Sequence, residues 1–181
     1  MFAFEPGSLS MAFAITGAPG GWFETLHDPT DLATWATTVL GVPDVRASSA
    51  DLAHAKRVRS AIWRGTDAAI DHRPPRAADR RVLNEAATAA PMRPHLAPDG
   101  RSTWARPVRA DALLSTIADD AIDLFGGQRA TGLKRCQGVN CSIPFVDTSR
   151  PGTRRWCSME RCGNRAKART HYHQHRQEAS R

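Results

Sequence analysis

The chain has 181 residues, 41% of them hydrophobic, with 25 Lys+Arg against 18 Asp+Glu and a formal net charge of +7. That length and apolar content allow one or two cored domains and exclude wholesale disorder. No run approaches the ~18 uncharged apolar residues of a membrane span, which is excluded. The N-terminus lacks a basic n-region, and Glu5 and Pro6 interrupt its apolar start. The expectation is a cytoplasmic protein, in a compartment where thiols stay reduced.

A short strand is expected near Ala12–Thr16, followed by a turn at Gly17–Gly21. The first clear helix is Pro29–Leu40, with Asp28 as N-cap, Pro29 at the first position and Gly41 as terminator. Ser49 can cap a second helix running to about Asp71, where Leu52, Ala55, Val58 or Arg59, Ile62 and Ala69 follow helical spacing. Pro74-Pro75 closes it. A third helix is expected over about Ala77–Ala90, stopped by Pro91. Asp99-Gly100 signals a hairpin between weak strands near Arg93–Leu96 and Ser102–Ala105. A fourth helix spans about Arg109–Phe125. His27, His54, His72 and His95 sit at no metal-ligand spacing, and residues 1–127 show no catalytic motif.

The charge is sorted along the chain. From Arg129 onward there are 12 basic and 3 acidic residues, and residues 1–128 carry a net of −2. All four cysteines lie in that basic segment, as Cys136-x4-Cys141 and Cys157-x4-Cys162 with fifteen residues between the pairs. Two close pairs of soft thiolate donors suit one tetrahedral Zn2+, and four protein ligands leave no open position, so the site reads as structural. Free thiols, disulfides or an iron–sulfur cluster are the other uses of such cysteines. Gly138 and Asn140 suit a knuckle turn, and the spacer suggests a hairpin pairing Pro144–Asp147 with Thr153–Trp156.

A helix is expected from Met159, capped by Ser158. At about 100° per residue, Arg165, Arg169, Tyr172 and Arg176 fall within about 80° of Arg161. Such a basic stripe suits a DNA groove or phosphate backbone, as do Arg150, Arg154 and Arg155 on the hairpin. Solvent exposure is the bland account of the same charges. Solvent exposure or phosphate contact is expected of His171, His173 and His175.

At these residues the chain resembles a known family. The run from Phe145 through Trp156, Cys157 and Met159 to Cys162-Gly163-Asn164-Arg165 and Lys167 looks like the CGNR zinc finger. The whole chain is similar to bacterial proteins with an N-terminal ABATE domain, described as stress-induced transcription regulators. The resemblance implies zinc held by Cys136, Cys141, Cys157 and Cys162, with DNA binding by the finger. The stretch matching the family's usual start, Ala12–Gly17, lacks that pattern's Asp and Asn. Gly163, Asn164 and Trp156 are expected to support the metal site by packing or hydrogen bonding. Arg165 could brace the knuckle or reach phosphate.

The combined expectation is an α+β, mainly α protein. Residues 1–127 form a helical ABATE-like domain with a small hairpin, which senses a small-molecule effector or dimerises. Residues 128–181 form a treble-clef-like zinc module, a hairpin plus a C-terminal helix. The function expected is zinc-dependent DNA-binding regulation of transcription, with Arg150, Arg154, Arg155, Arg161, Arg165, Lys167, Arg169, Tyr172 and Arg176 as contacts. A protein-interaction or structural role for the zinc unit, or RNA binding, is the alternative, and an enzyme is not expected.

Overall fold

The computed structural model describes residues 7–19, 21, 23–169 and 172. Its chain order is α1 (Leu9–Ala14), α2 (Pro29–Leu40), α3 (Ser49–Ile70), α4 (Ala77–Ala86), a hairpin of β1 (Pro94–Leu96) and β2 (Ser102–Trp104), then α5 (Ala110–Gly126). A 3-10 turn, Gln128–Gly132, leads into β3 (Leu133–Arg135) and β4 (Pro144–Val146). A π turn, Met159–Gly163, continues into α6 (164–169). Among the described residues the fold is therefore mainly helical with two antiparallel two-stranded hairpins.

Local chemistry explains most boundaries. In α2, Asp28 accepts from Thr30 N and Asp31 N, Asp31 returns the bond in a capping box, and Gly41 closes the helix at φ 65°. For α3 the cap is Ser48, one residue earlier than expected, because it reciprocates with Asp51 at the third helical position. Helix α4 stops at Ala86. The backbone beyond it is held by α5 instead, through Ser115 Oγ to Ala89 O (2.7 Å) and Met92 N to Thr116 Oγ1 (2.9 Å).

The segment expected as a strand near Ala12–Thr16 is instead mostly α1. Ser8 caps it, and Asp120 of α5 accepts from Ser10 N and Oγ at 2.7 and 2.6 Å. Met11, Phe13 and Ala14 are then fully buried against α3 and α5. The core between these helices is closed by Leu32, Val58, Ile62, Leu113, Ile117 and Leu124, with Phe13 meeting Trp35 edge-on at 5.0 Å.

The second hairpin departs from expectation and positions the site. β4 pairs with β3, Leu133 opposite Val146 and Lys134 opposite Phe145, and not with residues 153–156. The reason lies in alternation. Leu133 and Val146 project into the helical core, whereas Phe145, one residue along, projects into the cysteine cluster. The hairpin thus has one face in each core. Arg135 also pairs with Asp67 of α3, and Arg129 pairs with Asp120 and Asp123 of α5.

Candidate metal centre

Cys136 follows directly from β3, and Cys141 ends the turn after it. That turn is closed by Cys141 N donating to Gly138 O (3.0 Å), with Asn140 at φ 58°. Asn and Gly are the residues that tolerate such a turn, as the sequence predicts. A β-carbon on Gly138 would stand 2.9 Å from Cys162 Sγ and 3.3 Å from Cys136 Sγ. Gly138→Ala should therefore weaken zinc binding by about 10–100-fold, the usual cost of disturbing a metal site's support. Competition against a chromogenic chelator measures this, and wild-type affinity in the variant would contradict it.

Cys157 and Cys162 come from the other side of the site. Between them the chain makes a π turn, in which Gly163 N and Cys162 N both donate to Ser158 O at 3.1 Å. An i→i+5 turn is wider than an α turn. The uniform step of about 100° per residue therefore fails across Met159–Gly163, the turn that carries Arg161.

The four Sγ atoms lie within 4.8 Å of one another. Cys157 Sγ is 3.7 Å from Cys141 Sγ and 3.8 Å from Cys162 Sγ. A tetrahedron with Zn–S bonds of about 2.3 Å has edges of about 3.8 Å, so these spacings fit zinc and are far too long for disulfides. Cys136 Sγ additionally accepts from Gly138 N (3.4 Å) and Cys157 N (3.3 Å). Burial pushes the Cys157 thiol far up and the Cys162 thiol up to about 11. Four thiolates in this pocket accordingly need a cation among them, and the residues form one structural zinc site.

Around the sulfurs, Phe145 is fully buried, with Ile143 and half-buried Trp156 against the cluster. A β-carbon on Gly163 would stand 2.7 Å from Met159 Sδ and 3.2 Å from Trp156 Cδ1. Gly163 thus permits the π turn to close on Trp156. Asn164 is exposed.

Two residues with large local roles were missed or misassigned by spacing. The Asp147 side chain is almost fully buried, and burial alone would raise its pKa. Hydrogen bonds from Lys134 Nζ (2.7 Å), Ser149 Oγ (2.6 Å), Ser149 N (3.0 Å) and Arg154 N (2.8 Å) instead hold it well below the carboxylate range. The Asp-x-Ser signature of a side-chain-capped turn was the available signal. Arg154 faces inward. Its guanidinium donates to Trp156 O (2.9 Å) and Cys157 O and lies over the Phe145 ring at 4.8 Å.

The other basic residues of the module are placed differently. Arg150, Arg161, Arg165 and Lys167 are exposed, and Arg169 is half-buried. Arg155 is exposed, donates to Gln137 Oε1 (2.7 Å) and stands over Trp156 at 5.1 Å. Tyr172 is 63% exposed. Arg176 and the three C-terminal histidines lie outside the described residues. Among the described residues no helix is long and apolar enough to cross a membrane.

Comparison with family models matches residues 7–128 to ABATE, described as "Putative stress-induced transcription regulator", and residues 133–175 to the CGNR zinc finger. A search of curated protein sequences returns no match.

Proposed function

The chain belongs to the ABATE family and carries a CGNR zinc finger, and from that premise we propose that it regulates transcription by binding DNA through the zinc module. The observation that carries this reading is the exposed cationic surface that the metal site organises. Arg150, Arg155, Arg161, Arg165 and Lys167 are exposed, with Glu160 the one acidic residue in the span 148–169. Arg154 is left out of the contact set, because its donors already hold the carbonyls beside Cys157.

In this reading zinc is a scaffold. It fixes the knuckle and the π turn, and so fixes the spacing of guanidinium groups that meet phosphates. No step of catalysis is assigned to it, since four thiolates fill its coordination. The helical part would receive the stress signal. A cleft of about 340 Å³ lined by Met92, Arg93, Arg106, Val108, Arg109 and Asp111 has the size of a small-molecule site.

Replacing Arg155, Arg165 and Arg169 together by Gln should reduce affinity for a labelled random duplex at least tenfold at moderate salt. The slope of log affinity against log salt should become shallower by about 2–3. Zinc content should stay at one per chain. Equal binding by the variant would refute these contacts, and absence of low-salt binding by the wild type would refute the DNA reading. A purely structural role for zinc is the second reading, and the hairpin shared between the two cores favours it. It predicts no salt-dependent duplex binding.

A further inference from the structure

The helical part carries a basic surface of its own, which its near-neutral total charge conceals. Within residues 73–81, four arginines stand against one acid, Asp79. Arg73, Arg76, Arg80 and Arg81 are all exposed, while Asp79 is buried, with Arg64 Nε and Nη2 donating to its Oδ1 at 2.9 and 2.5 Å. Asp79 is therefore withdrawn from the surface that the arginines form, and the exposed Asp71 and Glu85 border it. Arg73 pairs with the exposed Asp71 at 2.7 Å, and Arg80 donates to Pro75 O at 2.6 Å. Arg76 and Arg81 make no side-chain hydrogen bond or ion pair among the described residues.

The position of this surface matters as much as its charge. Helix α3 reaches the zinc module near its C-terminal end, where Asp67 pairs with Arg135 of β3. The turn into α4 begins a few residues later. From Asp67 to Arg73 the chain extends about 15 Å at most, counting three helical rises and three extended residues. On the module's side, Gln137 is two strand-like residues beyond Arg135, about 7 Å along, and it holds Arg155. The α3–α4 turn thus follows directly on the end of α3 that pairs with the module through Asp67 and Arg135.

Resting on the DNA-binding reading above, we propose that Arg73, Arg76, Arg80 and Arg81 at the α3–α4 turn form a second phosphate-contact surface for the duplex held by the zinc module. The helical part then contributes directly to DNA affinity. Exposed guanidinium groups add sequence-independent affinity and steepen the salt dependence.

The test uses the full-length zinc-loaded chain and a labelled random duplex titrated at several salt concentrations. Arg76, Arg80 and Arg81 replaced together by Gln should bind at least tenfold more weakly near 0.1 M salt, with a log–log slope shallower by about 2–3. Zinc content and the thermal midpoint should match the wild type. The matching Lys triple should retain the wild-type slope, because it keeps the charges. If the Gln triple binds like the wild type while the Arg155, Arg165 and Arg169 variant fails to bind, the second surface is refuted and the zinc-module reading stands. If the Lys triple loses as much as the Gln triple, charge is not the cause and the proposal is refuted. If the wild type itself shows no salt-dependent binding, both proposals fall.

Discussion

Cys162→Ser is expected to release zinc and to lower the melting temperature of the helices as well as the finger. Three thiolates and a hydroxyl cannot replace a closed four-thiolate site. Zinc binding by small modules of this kind supplies roughly 10–16 kcal/mol, comparable to or above the entire stability of a typical domain. The coupling to the helices follows from β3 and β4. Leu133 and Val146 are 5% and 2% exposed within the helical core, and each buried side chain of that size contributes about 1.5–3 kcal/mol. Loss of the hairpin should therefore lower the helical melting temperature by roughly 10 °C, given about 2–4 °C per kcal/mol for a chain of this length. Far-UV circular dichroism with a zinc assay on the same samples measures both quantities. Zinc retained at one per chain, or zinc lost with an unchanged helical melt, would contradict the coupling.

The second large effect is expected at Arg59→Ala, far from the metal. Arg59 Nη1 and Nη2 each lie 2.6 Å from a carboxylate oxygen of Glu24, and Nη1 also lies 3.3 Å from Thr16 Oγ1. The Arg59 side chain is 7% exposed and that of Glu24 26%. Gly17 makes the approach possible, because a β-carbon there would meet Arg59 Nη1 at 2.5 Å. Removing Arg59 should cost about 1.5–3 kcal/mol, since the half-buried Glu24 then keeps as cation only Lys56, at 3.6 Å, in place of two charged hydrogen bonds. The hydrogen bond from Arg59 outweighs burial and, with Leu26 N and Lys56, lowers the Glu24 pKa to about 2. Its stabilisation is then fully present above the ordinary value of 4.5 and is lost as pH falls from there through about 2, up to about 3 kcal/mol. Urea denaturation at pH 7 and pH 3 should show a smaller difference for Glu24→Gln than for the wild type. An equal pH dependence in both would sink this account.

Elements carrying their own boundary chemistry could be read from the sequence. Helix α2 matches at both ends because Asp28, Pro29 and Gly41 act locally. The zinc ligands were legible for a similar reason, since two thiol pairs at matched spacing constitute a chemical pattern before any folding. Helix α1 was not, because six apolar-rich residues are too few to separate a helical period from a strand, and the deciding contact is Asp120, 110 residues away from Ser10. Arg59 already stood beside Val58 on the predicted inner face. Its partner Glu24 could not be named, since the pairing is made by a loop. The partner of β4 was misread because register is set by which side chains enter which core. Arg154 counted as one more surface cation until the fold turned it toward Phe145 and the Cys157 carbonyl.

The hairpin shared by both cores bears on how the chain may be divided. A cut near residue 128 falls where family boundaries suggest two parts, yet it separates Leu133 and Val146 from the helices that cover them. The C-terminal piece would keep its metal ligands and present an oily edge to water. The N-terminal piece would keep its helices and expose the matching hollow beside α1. The two fragments are complementary halves of one interior, and the intact chain is the object in which metal, helices and basic surface can be studied together.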